Sequence, residues 1–443
     1  MQNKHNFLKF VLFIGDIILI YLALFLSLAL RYGDFSFFPG LQTRVFLFHF
    51  SFIFLFWIFF LLLLDFYEIP PLKKVFDFLY NLILFLFLAG IIAITYFYLN
   101  PEALITPKII LVLNVLIFGV FLVGWRTLFN RILKFKNFKE KIIIIGSQSD
   151  FKDLSPELLN ENGYKVIAFF DLIPSFEVSK LKEIIEKEKV DSIVFNINFH
   201  KNEKLIQEIF QNLSFKLTYI NFSDFYENLT KKVSIENINE VWFLENFSGI
   251  ERKINQLLKR SFDILFSIIG LLITIIFFPF IFLAIKIDSF GPIFYFQKRV
   301  GKEGRIFTIY KFRTMKNNAE KKGPQWAVDD DPRITSVGKV LRKLYLDEFP
   351  QFYNILKGDI SFVGPRPERP EFVEQLKKEI SYYDIRHLIK PGFTGWAQIN
   401  YRYGSSVEDA REKLRYDFYY IKNRNFFLDL GIILKTIRII FKK

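Results

Sequence analysis

Two adjacent carboxylates, Asp347 and Glu348, lie in the C-terminal third of the chain, shortly after Arg342 and Lys343. One carboxylate of such a pair can attack a phosphorus atom and carry the phosphoryl group covalently. The other can bind Mg²⁺, which prefers carboxylate and phosphate oxygens together with water. An Asp-Glu pair by itself is typical of a solvated surface. With the cations around it, this pair predicts a site for a phosphorylated, metal-bound substrate.

Five further basic residues flank the pair in sequence. Lys311 and Arg313 lie two residues apart, so an extended chain brings both cations to one side. Arg333 follows an Asp-Asp-Pro segment, prolines flank Arg366, and a proline follows Arg369. Arginine neutralises phosphate charge through forked hydrogen bonds, and prolines reduce the entropy lost when such a backbone is positioned. Charged clusters also commonly face lipid headgroups, so only the combination indicates catalysis.

The composition predicts a membrane protein. Hydrophobic residues make up 52% of the 443 residues, and phenylalanine alone contributes 58. That content exceeds the needs of an ordinary soluble core. The net charge of +14 fits nucleic acid or an anionic membrane surface; the apolar content favours the membrane, and we expect no nucleic-acid partner. The absence of cysteine excludes disulfides and thiolate metal sites, and the four histidines lack ligand spacing.

Four long apolar runs open the chain, at residues 10–30, 45–64, 79–99 and 109–125. Each is close to the roughly twenty residues with which a helix crosses about 30 Å of hydrocarbon. Basic residues precede the first run, separate the second from the third and follow the fourth, so both ends of this region are expected in the cytoplasm. We interpret Asp16, inside the first run, as a near-interface carboxylate that pairs with another helix or reaches toward headgroups.

Residues 139–248 alternate predicted strands with short helices. Strands are expected from residue 141 to the turn at 146 and at 164–171, 191–197 and 216–221, and helices at 155–160, 178–187 and 205–213. The alternation predicts a parallel, doubly wound, Rossmann-like sheet. A dinucleotide fingerprint needs several glycines, whereas the first turn holds only Gly146 and an acidic Asp150. Asp171 follows the turn at about the sequence distance expected of a ribose-binding carboxylate, but a single matching residue is weak evidence. We therefore expect this domain to be structural or regulatory.

A fifth apolar run at residues 264–285 is long enough to cross, yet basic residues lie on both sides of it. That pattern contradicts a simple crossing, and Pro279 disfavours helical geometry at Phe278. We predict a re-entrant helix at 261–287 that breaks at Pro279; the alternative is a kinked fifth span, which would place the rest of the chain outside the cell. For residues 426–443 we predict a helix that lies in the membrane interface or one that packs against the re-entrant helix.

From about residue 259 to the end, the chain resembles the bacterial polyprenyl-phosphate hexose-1-phosphate transferases, a monotopic phosphoglycosyl transferase family. The matching strings occur in order: KRSFDILFS, GPIFYFQKRVGKEGRIFTIYKFRTM, DPRITSVGKVLRK, LDEFPQFYNILKGDISFVGPRPERPEF, KPGFTGWAQINYRYG and KLRYDFYYIKNRNFFLDLGIILKTI. The preceding spans and Rossmann-like domain are similar to the large, undecaprenyl-phosphate galactose or glucose phosphotransferase type. One departure is Phe278-Pro279, where the family often has Ser-Pro.

The resemblance implies a two-step transfer of sugar-1-phosphate from a UDP-sugar to undecaprenyl phosphate, the first membrane step of exopolysaccharide, capsule or O-antigen synthesis. Asp347 would attack the β-phosphate and release UMP, and Glu348 would bind Mg²⁺. Contacts to substrate phosphates are implied for Lys311, Arg313, Arg342 and Arg366. Arg333 and Arg369 are further candidates for substrate binding, and Gln398 and Tyr401 are candidates for contact with the nucleotide or sugar.

The expected fold is a membrane α-helical plus α/β protein. Its predicted domains are four transmembrane helices at 1–135, a Rossmann-like domain without an intact dinucleotide fingerprint at 139–248, and an α/β catalytic domain at 253–443 anchored by the re-entrant helix. We expect a multi-pass protein of the bacterial inner membrane with its catalytic domain on the cytoplasmic side. The resemblance also implies a homodimer, whereas the identity of the sugar is left open.

Two other classes of function are compatible with parts of the chain. A membrane-tethered nucleotide-sugar dehydratase would need a glycine fingerprint and a Tyr-x-x-x-Lys pair; Tyr353 and Lys357 have that spacing but lie outside the Rossmann-like domain. A non-enzymatic scaffold suits the Rossmann-like domain better than the whole chain. Bound or required NAD distinguishes the first class, and the activity of a chain truncated to residues 253–443 distinguishes the second.

Overall fold

The computed structural model describes two compact units, Met1–Phe225 and Tyr226–Lys443. It describes residues 2–33, 41–64, 66–67, 75–100, 108–135, 139–146, 154–170, 178–196, 217–247, 253–317, 319, 331–401, 404 and 406–442. The boundary between the units therefore falls before the end of the predicted Rossmann-like domain at residue 248. Residues 226–247 belong to the unit that also holds Asp347 and Glu348.

The first unit begins with four long helices. Their bounds are α1 Gln2–Tyr32, α2 Leu41–Leu63, α3 Val75–Leu99 and α4 Lys108–Phe135. Each of them, and the later helix Lys253–Asp288, is long and apolar enough to cross a membrane. Helices suit such a segment because every backbone polar group is satisfied within it. The helices predicted from the four apolar runs are thus confirmed as elements.

A buried ion pair joins α1 to α4. Arg126 donates from Nη1 and Nη2 to the two carboxylate oxygens of Asp16, over 2.8 and 2.7 Å, and both side chains are 0% exposed. Its Nε donates to the carbonyl of Phe66 over 3.3 Å, and its guanidinium carbon lies 5.6 Å from the centre of the Tyr67 ring. The prediction that Asp16 pairs with another helix is confirmed.

The same unit contains a four-stranded parallel sheet in the order β2-β1-β3-β4. Its strands are β1 Glu140–Ile145, β2 Tyr164–Phe170, β3 Ser192–Phe195 and β4 Thr218–Asn221. The helices α5 Pro156–Glu161 and α6 Val178–Glu188 connect them, and Ser155 caps α5 by accepting from the Leu158 backbone nitrogen. The predicted parallel arrangement is confirmed. The predicted helix at 205–213, Asp150 and Asp171 lie outside the described residues.

The remaining helices run from the unit boundary to the C-terminus. Their bounds are α7 Phe222–Thr230, α8 Glu240–Phe247, α9 Lys253–Asp288, α10 Ser336–Lys343, α11 Gln351–Lys357, α12 Pro370–Glu379, α13 Trp396–Asn400, α14 Val407–Asn423 and α15 Phe426–Lys442. An antiparallel pair, β5 Phe294–Val300 and β6 Ile306–Phe312, and a parallel pair, β7 Ser361–Val363 and β8 Gly392–Thr394, complete the second unit.

Both ends of α9 pack against this second unit. Near its start, Arg260 donates to the carbonyls of Ile355 and Leu356 over 2.7 and 2.6 Å. Near its end, Ile281 and Ile285 join a buried cluster with residues of β6 and α10. Helical structure continues through Pro279, where the sequence predicted a break. A re-entrant path would therefore need a bend within α9, and re-entry itself stays a prediction.

The C-terminal helix α15 packs against the first half of α9. Asp429 of α15 accepts from Lys259 Nζ over 2.5 Å, and the rings of Phe426 and Phe262 lie 5.8 Å apart. The predicted packing of this segment against the long apolar helix α9 is thus confirmed, and its location in the membrane interface stays a prediction.

Residues 226–247, upstream of α9, pack against α14. Phe243 of α8 lies 5.3 Å from Phe418, measured between ring centres. Trp396 donates from Nε1 to the carbonyl of Lys231 over 2.9 Å. Three ion pairs add to this contact: Glu227–Lys422 at 2.7 Å, Lys232–Glu412 at 3.0 Å and Glu236–Arg415 at 2.7 Å. The segment is therefore part of the fold that carries the candidate site.

Candidate active site

The two carboxylates lie on a short 3₁₀ turn, Leu346–Glu348, directly before α11. Tyr345 precedes the turn in the left-handed region, with φ 57° and ψ 15°. A non-glycine residue in this region costs about 1–3 kcal/mol and is maintained only where the surrounding structure imposes it. The chain therefore holds Asp347 and Glu348 at a sharp, strained change of direction.

Helix α11 fixes this turn to α9. Arg260 binds the C-terminal carbonyls of α11, where a cation also suits the negative end of the helix dipole. The Phe352 ring packs directly on Gly270, so closely that a Cβ at that position would overlap it. Glycine at 270 thus allows α11, and with it the carboxylate pair, to lie against the membrane-inserting helix.

Glu348 is held by two cations. Lys311 Nζ and Arg366 Nη2 donate to its Oε1 over 2.7 and 2.6 Å, and Glu348 itself is 6% exposed. Burial alone would raise the pKa of Glu348, but the charges of Arg366 and Lys311 outweigh it and hold that pKa well below the ordinary glutamate value. No hydrogen bond from a described residue reaches Oε2, so one oxygen of this ionised carboxylate is left for a ligand.

Asp347 is buried beside it but differs in its contacts. Burial raises the pKa of Asp347, against the attraction of Lys311, and the charge of Glu348 raises it further. Arg342 and Arg366 lower it by attraction, yet no hydrogen bond to its carboxylate comes from the described part of the chain. Two adjacent carboxylates whose pKa values are driven apart can take different chemical roles.

Arg342 is positioned by the end of α10. Its Nε donates to Thr314 Oγ1 over 2.9 Å. The carbonyl of Thr314 in turn accepts a hydrogen bond from the backbone nitrogen of Thr335, at the start of α10. The structure therefore brings four of the predicted site residues to Asp347: Glu348, Lys311, Arg342 and Arg366.

Three other predicted phosphate or substrate ligands are engaged elsewhere. Arg313 donates to the carbonyls of Ser289 and Phe290 over 2.6 and 2.9 Å, in the turn that follows α9. Arg333 forms a two-pronged pair with Asp331, at 2.8 Å through Nε and 2.5 Å through Nη2. Arg369 stacks on a phenylalanine of α12, 5.7 Å from its ring centre. In these positions all three stabilise local structure.

The two candidates for the nucleotide or sugar lie around α13. Gln398 donates from Nε2 to the carbonyl of Phe393 over 3.2 Å, while its buried Oε1 accepts no hydrogen bond from a described residue. Tyr401 donates to Asp409 over 2.9 Å, and burial together with this bond raises the pKa of Tyr401 to about 12. Tyr401 is therefore a neutral hydroxyl throughout the physiological range.

Comparison with known proteins now identifies the family. The profile of a family described as bacterial sugar transferase matches residues 254–443. An undecaprenyl-phosphate galactose phosphotransferase of Salmonella typhimurium is 30% identical over 338 residues, which cover 69% of each chain. The chain belongs to the bacterial sugar transferase family.

Two further relatives match its C-terminal half. A UDP-N-acetylgalactosamine-undecaprenyl-phosphate N-acetylgalactosaminephosphotransferase of Aeromonas hydrophila is 46% identical over 217 residues, covering 48% of this chain and 50% of the relative. A UDP-glucose:undecaprenyl-phosphate glucose-1-phosphate transferase of Escherichia coli is 40% identical over 205 residues, covering 46% and 44%. The match thus spans about half the length of these two relatives.

This bacterial sugar transferase also has site residues that the sequence analysis missed. Arg386 donates to the carbonyl of Arg366 over 3.0 Å and pairs with Asp417 at 2.8 Å, which steadies the segment carrying Arg366. No local pattern links residues so far apart in sequence. Gln351, by contrast, stands in the string LDEFPQF at helical spacing from Asp347, a signal that was available.

Proposed function

We propose that this chain transfers a sugar-1-phosphate from a UDP-sugar to undecaprenyl phosphate and releases UMP. The Aeromonas and Escherichia relatives are named for a UDP-sugar and undecaprenyl phosphate. The observation that carries the proposal is the inequality of the two carboxylates. Glu348 is anchored by two cations, whereas Asp347, without a hydrogen bond among the described residues, is left to react.

In the first step, an Asp347 oxygen attacks the β-phosphorus of the UDP-sugar. A bond forms between that oxygen and phosphorus, the bond from phosphorus to the bridging oxygen breaks, and UMP leaves with the bonding electrons. In the second step, an oxygen of the lipid phosphate attacks the same phosphorus and releases the Asp347 carboxylate. Lys311, Arg342 and Arg366 surround Asp347 with positive charge that stabilises the phosphoryl oxygens in both steps.

The residues present fit Mg²⁺ when it arrives with the diphosphate. Glu348 offers Oε2, and phosphate oxygens and water would complete the coordination that Mg²⁺ prefers. No cluster of three or more acidic or histidine ligands occurs in the described residues. When bound, the ion would neutralise charge on the diphosphate. Glu348 would hold it, with its low pKa keeping the carboxylate ionised.

The proposed reaction takes place at the cytoplasmic face of the inner membrane, where nucleotide-sugars are found. Contacts at both ends of α9 support a helix that enters and leaves on one side, because Arg260 and Ile285 pack against the same unit. A straight crossing would divide that unit between the two faces of about 30 Å of hydrocarbon. Single cysteines introduced near Lys253 and Lys302 into this cysteine-free chain should react from the same side. Reaction from opposite sides would establish a crossing helix.

The activity is tested by UMP release from a panel of UDP-sugars, first without lipid acceptor. The wild type should release up to one UMP per molecule and gain the mass of one sugar phosphate. Asp347→Asn should lose release by about a thousandfold or more, because an amide cannot act as the nucleophile. Asp384→Asn is the matched control, since Asp384 is an exposed aspartate of the same unit. Full release by Asp347→Asn would exclude the covalent step.

A further inference from the structure

Gln351 is a buried amide with an unused donor. It is the first residue of α11 and is 3% exposed. Its Nε2 has no hydrogen-bond partner within the described part of the chain. Buried donors without partners are rare in folded proteins because each lacks the bonds it would make in water. Such a group in a native fold calls for an explanation.

The backbone places Gln351 one helical turn after the carboxylate pair. Residues from the 3₁₀ turn through Phe349 and Pro350 to α11 are all in right-handed helical geometry. Residues three and four apart in such a segment share one face. Gln351 follows Glu348 by three residues and Asp347 by four, so its side chain starts one turn beyond both carboxylates.

Neither carboxylate uses this donor. Glu348 accepts from Lys311 and Arg366, and Asp347 accepts no hydrogen bond from a described residue. A neutral amide also differs from the neighbouring cations, because it donates a directed hydrogen bond and adds no further positive charge to the site. Among the described residues, therefore, no group accepts this hydrogen bond, and the donor is available to an oxygen of a ligand bound beside Asp347.

We propose that Gln351 donates a hydrogen bond to a non-bridging phosphoryl oxygen of the bound diphosphate, at the phosphorus that Asp347 attacks. The inference rests on the proposed function, which takes Asp347 as the nucleophile at that phosphorus. The bond acts like an oxyanion-hole donor: it strengthens as charge develops on the phosphoryl oxygens. Gln351 thereby serves as a catalytic residue in addition to the three cations.

Gln351→Met tests this role because methionine keeps the length of the side chain and removes the donor. We expect UMP release without acceptor to fall about a hundredfold, the usual size of losing one such donor. The unfolding temperature without ligand should stay unchanged or rise, since an unsatisfied buried group is removed. The rise in unfolding temperature on adding UDP-sugar should shrink. Gln375→Met, an exposed glutamine on α12, is the matched control and should change none of these.

A structural role for Gln351 predicts the opposite pattern. The inference is overturned if Gln351→Met lowers the unfolding temperature and loses release only in proportion to its unfolded fraction, or if release is unchanged. The proposed function fails if the wild type releases no UMP from any UDP-sugar but is stabilised by UDP. In that case, loss of the stabilisation in Gln351→Met would still support Gln351 as a hydrogen-bond donor to the diphosphate. A wild type that neither releases UMP nor is stabilised by a diphosphate rejects both.

Discussion

Two buried clusters of opposite charges, one in each unit, differ in how completely they are paired. In the membrane helices, Asp16 and Arg126 match one carboxylate to one guanidinium through two bonds, and both are 0% exposed. In the catalytic unit, Glu348 takes two cations onto one oxygen, and Asp347 beside it accepts no hydrogen bond from a described residue.

The difference distinguishes a structural ion pair from the proposed active site. The helix pair is neutral and internally satisfied, so it offers nothing to a ligand. Among the described residues, Lys311, Arg342 and Arg366 all attract the carboxylate of Asp347, which lies beside Glu348. Arg366 also keeps 40% of its side chain exposed. Positive charge around a carboxylate that accepts no hydrogen bond from a described residue suits a negatively charged diphosphate.

The largest expected effect tests whether the catalytic cluster is supported by its own unit alone. A chain that begins at Tyr226 should fold and release UMP, whereas one that begins at Lys253 should unfold or aggregate. The shorter chain loses the contact of Phe243 with Phe418 and the three ion pairs to α14. Loss of one buried aromatic side chain alone costs about 3–5 kcal/mol.

Thermal unfolding and UMP release of both chains in detergent provide the measurement. Equal unfolding temperatures would show that residues 226–247 contribute nothing to the catalytic unit. Inactivity of both chains, with the longer one folded, would instead show that the first unit is required for the reaction.

The helix pair can be broken on one side. Arg126→Met leaves Asp16 buried without its partner and should destabilise the helix region by about 3–5 kcal/mol. The double variant Asp16→Leu/Arg126→Met should recover most of that loss, because an apolar pair avoids the unpaired charge. Denaturant unfolding in detergent measures both, and UMP release per folded molecule should stay near that of the wild type. A double variant as unstable as the single one would contradict the interpretation of a simple structural pair.

The smallest effect concerns pH and the unequal carboxylates. Asp347 attacks only when ionised, so its raised pKa places the acid limb of UMP release above the ordinary aspartate range. Release should fall about tenfold per pH unit below that limb. The free energy of unfolding should not fall together with UMP release. The pKa of Asp347 is higher in the folded protein than in the unfolded chain, so protonation of Asp347 in this pH range favours the folded state.

Glu348 behaves in the opposite sense. Its lowered pKa means that its contribution to stability is complete above the ordinary glutamate pKa and is lost only as the pH falls well below it. UMP release should therefore disappear at a higher pH than folded structure does. Measuring release and unfolding temperature on the same samples tests this order, and a single shared midpoint would contradict it.

The amino-acid sequence determined the elements and the chemistry of this protein. Apolar runs predict the four helices, alternating strands and helices predict the parallel sheet, and the motif strings single out Asp347, Glu348, Lys311, Arg342 and Arg366. The predictions of helices and strands are confirmed because the hydrophobic period of a helix or strand is local. The roles of the site residues stay predictions, which rest on short strings that bring several candidate residues together.

Only the tertiary structure decided which groups are paired. The partner of Asp16 lies 110 residues away in sequence. Arg313 donates hydrogen bonds to backbone carbonyls in the turn after α9. The compact unit that contains the candidate site begins at Tyr226. The unused amide of Gln351 is also visible only in the fold. Pairing across such distances depends on how separate elements pack, and sequence spacing contains no information on that packing. The same residue types therefore form a closed structural pair in one unit and the proposed active site in the other.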